Sequence, residues 1–134
     1  MRFYIAYRYT GEDPIVLNEE LSKIESIIKA NGHDVFCSIS REKYFADNKF
    51  TPRQIVDFSL KELEQSDVLL AYIKSPEKSE GMILEIGFAI AKKTPIYVLI
   101  KNGIKTGFIE SVAEKVIVFK EFFEIDKQLS ELLM

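Results

Sequence analysis

The sequence predicts an α/β protein: a five-stranded parallel sheet in the order 2-1-3-4-5 with helices on both faces, the three-layer arrangement of flavodoxin-like and Rossmann-like domains. Three features predict it. Short apolar, β-branched runs alternate along the chain with segments of helical periodicity. The helical segments carry their own boundary signals, with Asp13-Pro14, Thr51-Pro52 and Ser79 at starts and Asn31-Gly32 at a stop. The third apolar run, Asp67 to Ile73, lacks alternation, as expected of a strand covered on both faces.

Taken in order, Arg2 to Tyr7 reads as the first strand. Asp13 caps a helix that has Pro14 at its first position and Leu17, Leu21, Ile24 and Ile28 at helical spacing. Asp34 to Ser38 is a short second strand, and Ile39 to Phe50, polar with three aromatics, reads as a long loop. The helix opened by Thr51-Pro52 carries Ile55, Val56, Leu60 and Leu63 and leads into the Asp67–Ile73 strand. Lys74 to Lys78 is a loop. Ser79 caps a helix so apolar on most sides that deep packing is expected. Pro95 to Ile100 is a fourth strand, Gly103 and Gly107 interrupt the next connection, Lys115 to Phe119 is a fifth strand, and Phe122 to Leu133 a closing helix. Right-handed crossovers between parallel strands then favour the 2-1-3-4-5 order.

The chain has 134 residues, 47% of them apolar, which suits one globular domain spanning 1–134 with a core of its own. The net charge of −3 argues against nucleic acid as the main partner, since a phosphate backbone calls for a basic face. No apolar run is long enough to span a bilayer and no basic-then-apolar leader opens the sequence, so no membrane association is expected. Cys37 is the only cysteine, which excludes an internal disulfide and fits a reducing, cytoplasmic setting. His33 is the only histidine, which makes a zinc site improbable and excludes a Ser-His-Asp or Cys-His device unless His33 serves as its base. Chemistry here falls to carboxylates, hydroxyls, backbone amides, Lys and Arg.

Open parallel sheets bind ligands beyond the carboxyl ends of their strands, where the strand order switches. In the predicted order that point lies between the first and third strands. It gathers Tyr7 to Glu12, the loop after Ser38, and Lys74 to Glu85, flanked by Lys101 to Gly107. Ser79 and Gly81 sit at a helix start, where free amides, the dipole and a hydroxyl favour an anion. A plain capping role serves Ser79 equally well. Glu85 stands in the second turn of an otherwise apolar helix, where an unpaired carboxylate is costly and calls for a functional or ion-pairing reason. Gly87 is read as a point of close helix-to-sheet packing. Arg8 leaves the first strand at the switch point, placed to grip a phosphate or carboxylate. Lys74, Lys78, Lys101 and Lys105 form an expected positive rim.

The block Ser79-x-Gly81-x-x-x-Glu85-Ile86-Gly87-x-Ala89, following the strand Ser66-Asp67-Val68-Leu69-Leu70-Ala71, resembles the nucleoside 2-deoxyribosyltransferase superfamily, including its 2'-deoxynucleoside 5'-phosphate N-hydrolases. The resemblance runs from the Tyr4 strand to about the fourth strand. It implies that Glu85 attacks the anomeric carbon of the sugar and that Tyr4 positions that carboxylate. It implies that Ser79, six residues before Glu85, receives a 5'-phosphate. Gly81 and the adjacent Met82 join the substrate-binding set on the same grounds. Two features depart from the family. Ser59 stands where the family has an aspartate that handles the leaving base, and Asp57, two residues away, falls on roughly the opposite helix face. Tyr7-Arg8-Tyr9-Thr10-Gly11 replaces a glycine-rich first loop.

What the resemblance implies is cleavage of the N-glycosidic bond of a (deoxy)nucleoside 5'-monophosphate or nucleoside, through a covalent glycosyl-glutamate as in retaining glycosidases. Either base is released or the sugar is transferred. No metal and no other cofactor is called for. The partner is the small-molecule nucleoside or nucleotide, and a homodimer or higher homo-oligomer is expected. The same block is also similar to TIR domains, some of which cleave NAD with a glutamate on the matching helix. Met82 and Ile83 stand in place of the tryptophan-cysteine pair usual there. A third reading, favoured by Ser59, is a nucleotide-binding or interaction module that no longer turns over.

Overall fold

The computed structural model describes all residues, 1–134. Five parallel strands, β1 (Arg2–Ala6), β2 (Asp34–Cys37), β3 (Val68–Ile73), β4 (Ile96–Lys101) and β5 (Lys115–Phe119), form one sheet in the order β2-β1-β3-β4-β5, as expected. The register aligns Tyr4 with Phe36 on one side and with Leu69 on the other. Alternation along β1 sends Phe3, Ile5 and Tyr7 to one face and Tyr4 and Ala6 to the other. The first face is covered by α1 (Pro14–Ala30) and α6 (Ile125–Leu133), the second by α3 (Pro52–Glu64) and α4 (Glu80–Ala91). All six residues of β3 are buried, which accounts for its unbroken apolar sequence.

The caps work as their sequences suggest. Asp13 accepts from the amides of Ile15 and Val16, and Pro14 follows at the first helical position, where no amide is missed. Thr51 and Gln54 form a reciprocal capping box at the start of α3.

Four expectations are corrected. The Ile39–Phe50 stretch is not a loop: a 3-10 turn (Ser38–Arg41) runs into α2 (Glu42–Asp47). Its aromatics supply the reason. Phe45 is buried, 5.2 Å from the Phe50 ring and 5.3 Å from the Phe58 ring of α3, so tertiary packing stabilises a helix too short to stand alone. A second short helix, α5 (Phe108–Ser111), lies in the connection broken by Gly103 and Gly107. The third correction concerns α4. Only Met82, Ile86 and Ala89 are buried, while Ile83 and Ile90 are about half exposed and Phe108 of α5 is 90% exposed. Gly87 does not mediate close packing, since a methyl group there would meet nothing within 4 Å.

Candidate active site

A cleft of about 470 Å³ opens at the carboxyl edge of the sheet, bounded by the exit of β1, the Ser38–Glu42 turn, the first half of α3 and the start of α4. It falls at the switch in strand order. Arg8, Ser59, Ser79, Gly81 and Glu85 all line it, although they come from three separate segments of the chain.

Glu85 is held by the α4 register. Met82, Ile86 and Ala89 point into the core, and Glu85 lies beside that stripe, half-buried, at the cleft wall. Beneath it the Tyr4 hydroxyl, from a side chain that is 1% exposed, donates a hydrogen bond to Glu85 Oε2. Stacking on Phe36, 5.6 Å between ring centroids, fixes the Tyr4 ring. Burial pushes the Glu85 carboxyl up to about 7, while the Tyr4 bond pulls it back toward the ionised form. Burial, then the Glu85 charge, lift the Tyr4 phenol well above its ordinary range, so it remains a donor; the neighbouring Ser59 hydroxyl pulls weakly the other way. Ser59 is buried on α3, and Asp57 faces solvent, paired with Arg53 at 3.0 Å.

At the opposite flank, Tyr7, Ser38 and Glu42 form a hydrogen-bonded chain. Tyr7 and Ser38 hydroxyls lie 2.9 Å apart, and Tyr7 donates to Glu42 Oε1 at 3.3 Å. Burial raises the Glu42 carboxyl above its usual range, with the Tyr7 bond acting against it. Sequence reading did not single out Ser38 or Glu42, because the stretch following β2 had no helical signature. The one available signal was topological, their place just after a strand flanking the switch point.

The start of α4 combines two functions in Ser79. Its Oγ accepts the Met82 amide at 3.2 Å, which leaves the hydroxyl hydrogen free to donate into the cleft. Gly81 leaves the cleft mouth open, where an added methyl would meet only Ser79 Oγ, at 3.9 Å. Met82 contributes that amide, but its side chain packs in the core, 4% exposed, and does not line this cleft. Arg8 is steered by carboxylates, with Nη1 at 3.3 Å from Glu12 and 3.8 Å from Glu77. Gly11, at φ +83°, lets the guanidinium pass: a methyl there would lie 2.9 Å from Arg8 Nη2. The expected positive rim is narrower than its four lysines. Lys74 is taken up by Glu20 at 2.6 Å and Glu12 at 3.8 Å, and of the four only Lys78 lines the cleft. No three His, Cys, Asp or Glu side chains converge as a metal site requires, and no helix is long and apolar enough to cross a membrane.

Comparison with known proteins places this geometry in context. Among curated proteins none matches the chain. The CMP N-glycosidase BcmB of Clostridium botulinum superposes with a TM-score of 0.72 at 16% identity, over 98% of this chain and 99% of that one. A 2-deoxyribosyltransferase of Bacillus psychrosaccharolyticus gives a TM-score of 0.72 at 18% identity, over 99% and 96%. A conserved protein of Enterococcus faecalis V583 gives 0.65 at 15% identity, over 99% and 96%. At such identities these likenesses establish the shared fold. The family profile of nucleoside 2-deoxyribosyltransferases matches residues 4–118, from Tyr4 in β1 into β5, and so takes in every cleft segment. The chain therefore belongs to the nucleoside 2-deoxyribosyltransferase family, enzymes of N-glycosidic bond cleavage and transfer.

Proposed function

We propose that this protein cleaves the N-glycosidic bond of a (deoxy)nucleoside 5'-monophosphate, with Glu85 as nucleophile and Tyr4 as its positioning residue. The observation that carries the reading is the Tyr4–Glu85 hydrogen bond at the wall of a cleft that also contains a helix start. A carboxylate that is partly desolvated yet held by one donor is poised to attack the anomeric carbon. In the first step a Glu85 oxygen bonds to C1' as the C1'–N bond breaks through an oxocarbenium-like transition state. Water, or a second base, then takes the sugar from Glu85. Ser79 receives the phosphate with its free hydroxyl hydrogen at the positive end of the helix, with Lys78 and Arg8 nearby; Glu80 also lines the cleft but is exposed, so water and salt screen its charge. A cleft of about 470 Å³ is within the range of nucleotide-sized sites.

The test is to incubate the protein with matched nucleosides and nucleoside 5'-monophosphates and to measure free base. Glu85→Ala is expected to lower turnover about ten-thousandfold or more. A 2'-fluoro substrate, whose electron-withdrawing substituent slows breakdown of the intermediate, is expected to leave a glycosyl adduct on the peptide containing Glu85. Near-normal turnover by Glu85→Ala, or no base release from any substrate by the wild type, refutes the assignment.

We further propose a homo-oligomer through α4 and α5. Ile83, Ile90, Phe108 and Val112 are each at least 42% exposed and line a second cavity of about 350 Å³, an apolar surface suited to a second copy. Light scattering on the wild type and on Phe108→Asp tests it. An unchanged monomer in both refutes it.

A further inference from the structure

The Ser59 position leaves the reaction without an acid for the departing base, since an aliphatic hydroxyl does not give up a proton near neutral pH. We propose that Glu42 is that acid, protonating the base as it leaves. This rests on the Glu85 reading above and extends it to the other half of the same bond-breaking step.

The argument begins with the topology. β2 and β3 flank β1, so their exits lie about 10 Å apart along the sheet edge. The β3 exit leads to Ser79, and the β2 exit leads through Ser38 to Glu42. A nucleotide with its phosphate at Ser79 and its anomeric carbon at Glu85 therefore directs its base toward Glu42. The cleft has three carboxyl groups, Glu42, Glu80 and Glu85. Glu85 is taken by the sugar. Glu80 is exposed in the first turn of α4, beside Ser79 at the phosphate end of the cleft. That leaves Glu42, which is half-buried and takes part in none of the salt bridges. Tyr7 engages only its Oε1, which leaves Oε2 for a ligand. Burial raises its carboxyl above the usual range, the direction a proton donor requires. Phe45, packed against Phe58, anchors α2 on α3 and so fixes the position of Glu42.

The step balances without a co-reactant. As Glu85 bonds to C1', the electron pair of the C1'–N bond passes to the base and the Glu42 proton neutralises it. Glu42, now a carboxylate, takes a proton from the incoming water, whose oxygen bonds to C1' and releases Glu85. Both groups return to their starting states.

The test compares two leaving groups on one sugar phosphate: an ordinary base, and 7-methylguanine, which is cationic in the nucleotide and departs neutral without protonation. Glu42→Gln is expected to slow release of the ordinary base by about 100- to 10,000-fold, with little change in KM. In a single turnover with enzyme in excess, which reports the bond-breaking step alone, release of 7-methylguanine by the same variant is expected to stay within severalfold of wild type, which also shows that the variant is folded. Glu42→Asp is expected to recover part of the lost rate. Equal losses on both substrates, or a wild-type rate on the ordinary base, overturn the proposal. Glu85→Ala is expected to lose both activities; if it retains them, the Glu85 reading fails, whatever Glu42→Gln shows.

Discussion

Glu85→Gln is expected to make the protein more stable at pH 8 while abolishing turnover. Burial raises the Glu85 carboxyl from 4.5 to about 7. Between those pH values the folded protein keeps a proton that the unfolded chain releases, so stability falls as pH rises from 4.5 and the penalty is complete above 7. At about 1.4 kcal/mol per pH unit, the full penalty is about 3 kcal/mol. Glu85 is only half-buried and lines an open cleft, so water lowers this to roughly 1–3 kcal/mol. Glutamine has the same shape, still accepts from Tyr4, and never ionises. The gain corresponds to roughly 4–12 °C in Tm for a chain of this size. The measurement is thermal unfolding of both proteins at pH 5 and pH 8. The gain should be full at pH 8 and only about a quarter as large at pH 5. Tyr4 does not blur the result, since burial keeps its phenol protonated throughout that range. A gain of equal size at both pH values, or none at pH 8, refutes the claim that Glu85 is held desolvated at a cost to the fold.

Ser79→Ala should weaken nucleoside monophosphate binding roughly ten- to a hundredfold, the worth of one charge-assisted hydrogen bond, while leaving the bare nucleoside nearly unaffected; isothermal titration of both ligands decides, and equal losses refute a phosphate site. Arg8→Ala should raise KM for the nucleotide and change Tm little, because partly exposed ion pairs contribute at most about 1 kcal/mol and Glu12 keeps Lys74 at 3.8 Å. A large fall in Tm with unchanged KM makes Arg8 structural. Gly87→Ala should stabilise α4 by about 0.5–1 kcal/mol, since its methyl group meets nothing within 4 Å; urea unfolding measures it, and destabilisation shows that the position is packed in solution.

The sheet order and most element boundaries were legible in the sequence because their causes are local. Asp13-Pro14 and Thr51-Pro52 act over one helical turn, and the apolar run of β3 records burial on both faces along six consecutive residues. A carboxylate in the second turn of an apolar helix marked Glu85, and the strand order told where the cleft would open. What the sequence missed was long-range. The α2 helix exists because Phe45 and Phe50 pack against Phe58, and nothing in its own residues requires it. Lys74 and Arg8 read as free cations until the fold brought Glu12, Glu20 and Glu77 to them. Tyr4 and Glu85, 81 positions apart, were paired by the family resemblance alone, and Tyr7 and Glu42, 35 apart, were not paired at all. Composition and periodicity identify which residue types can ionise or donate. Their contacts and their desolvation, and therefore the pKa at which each works, are set only when distant segments cross at the sheet edge.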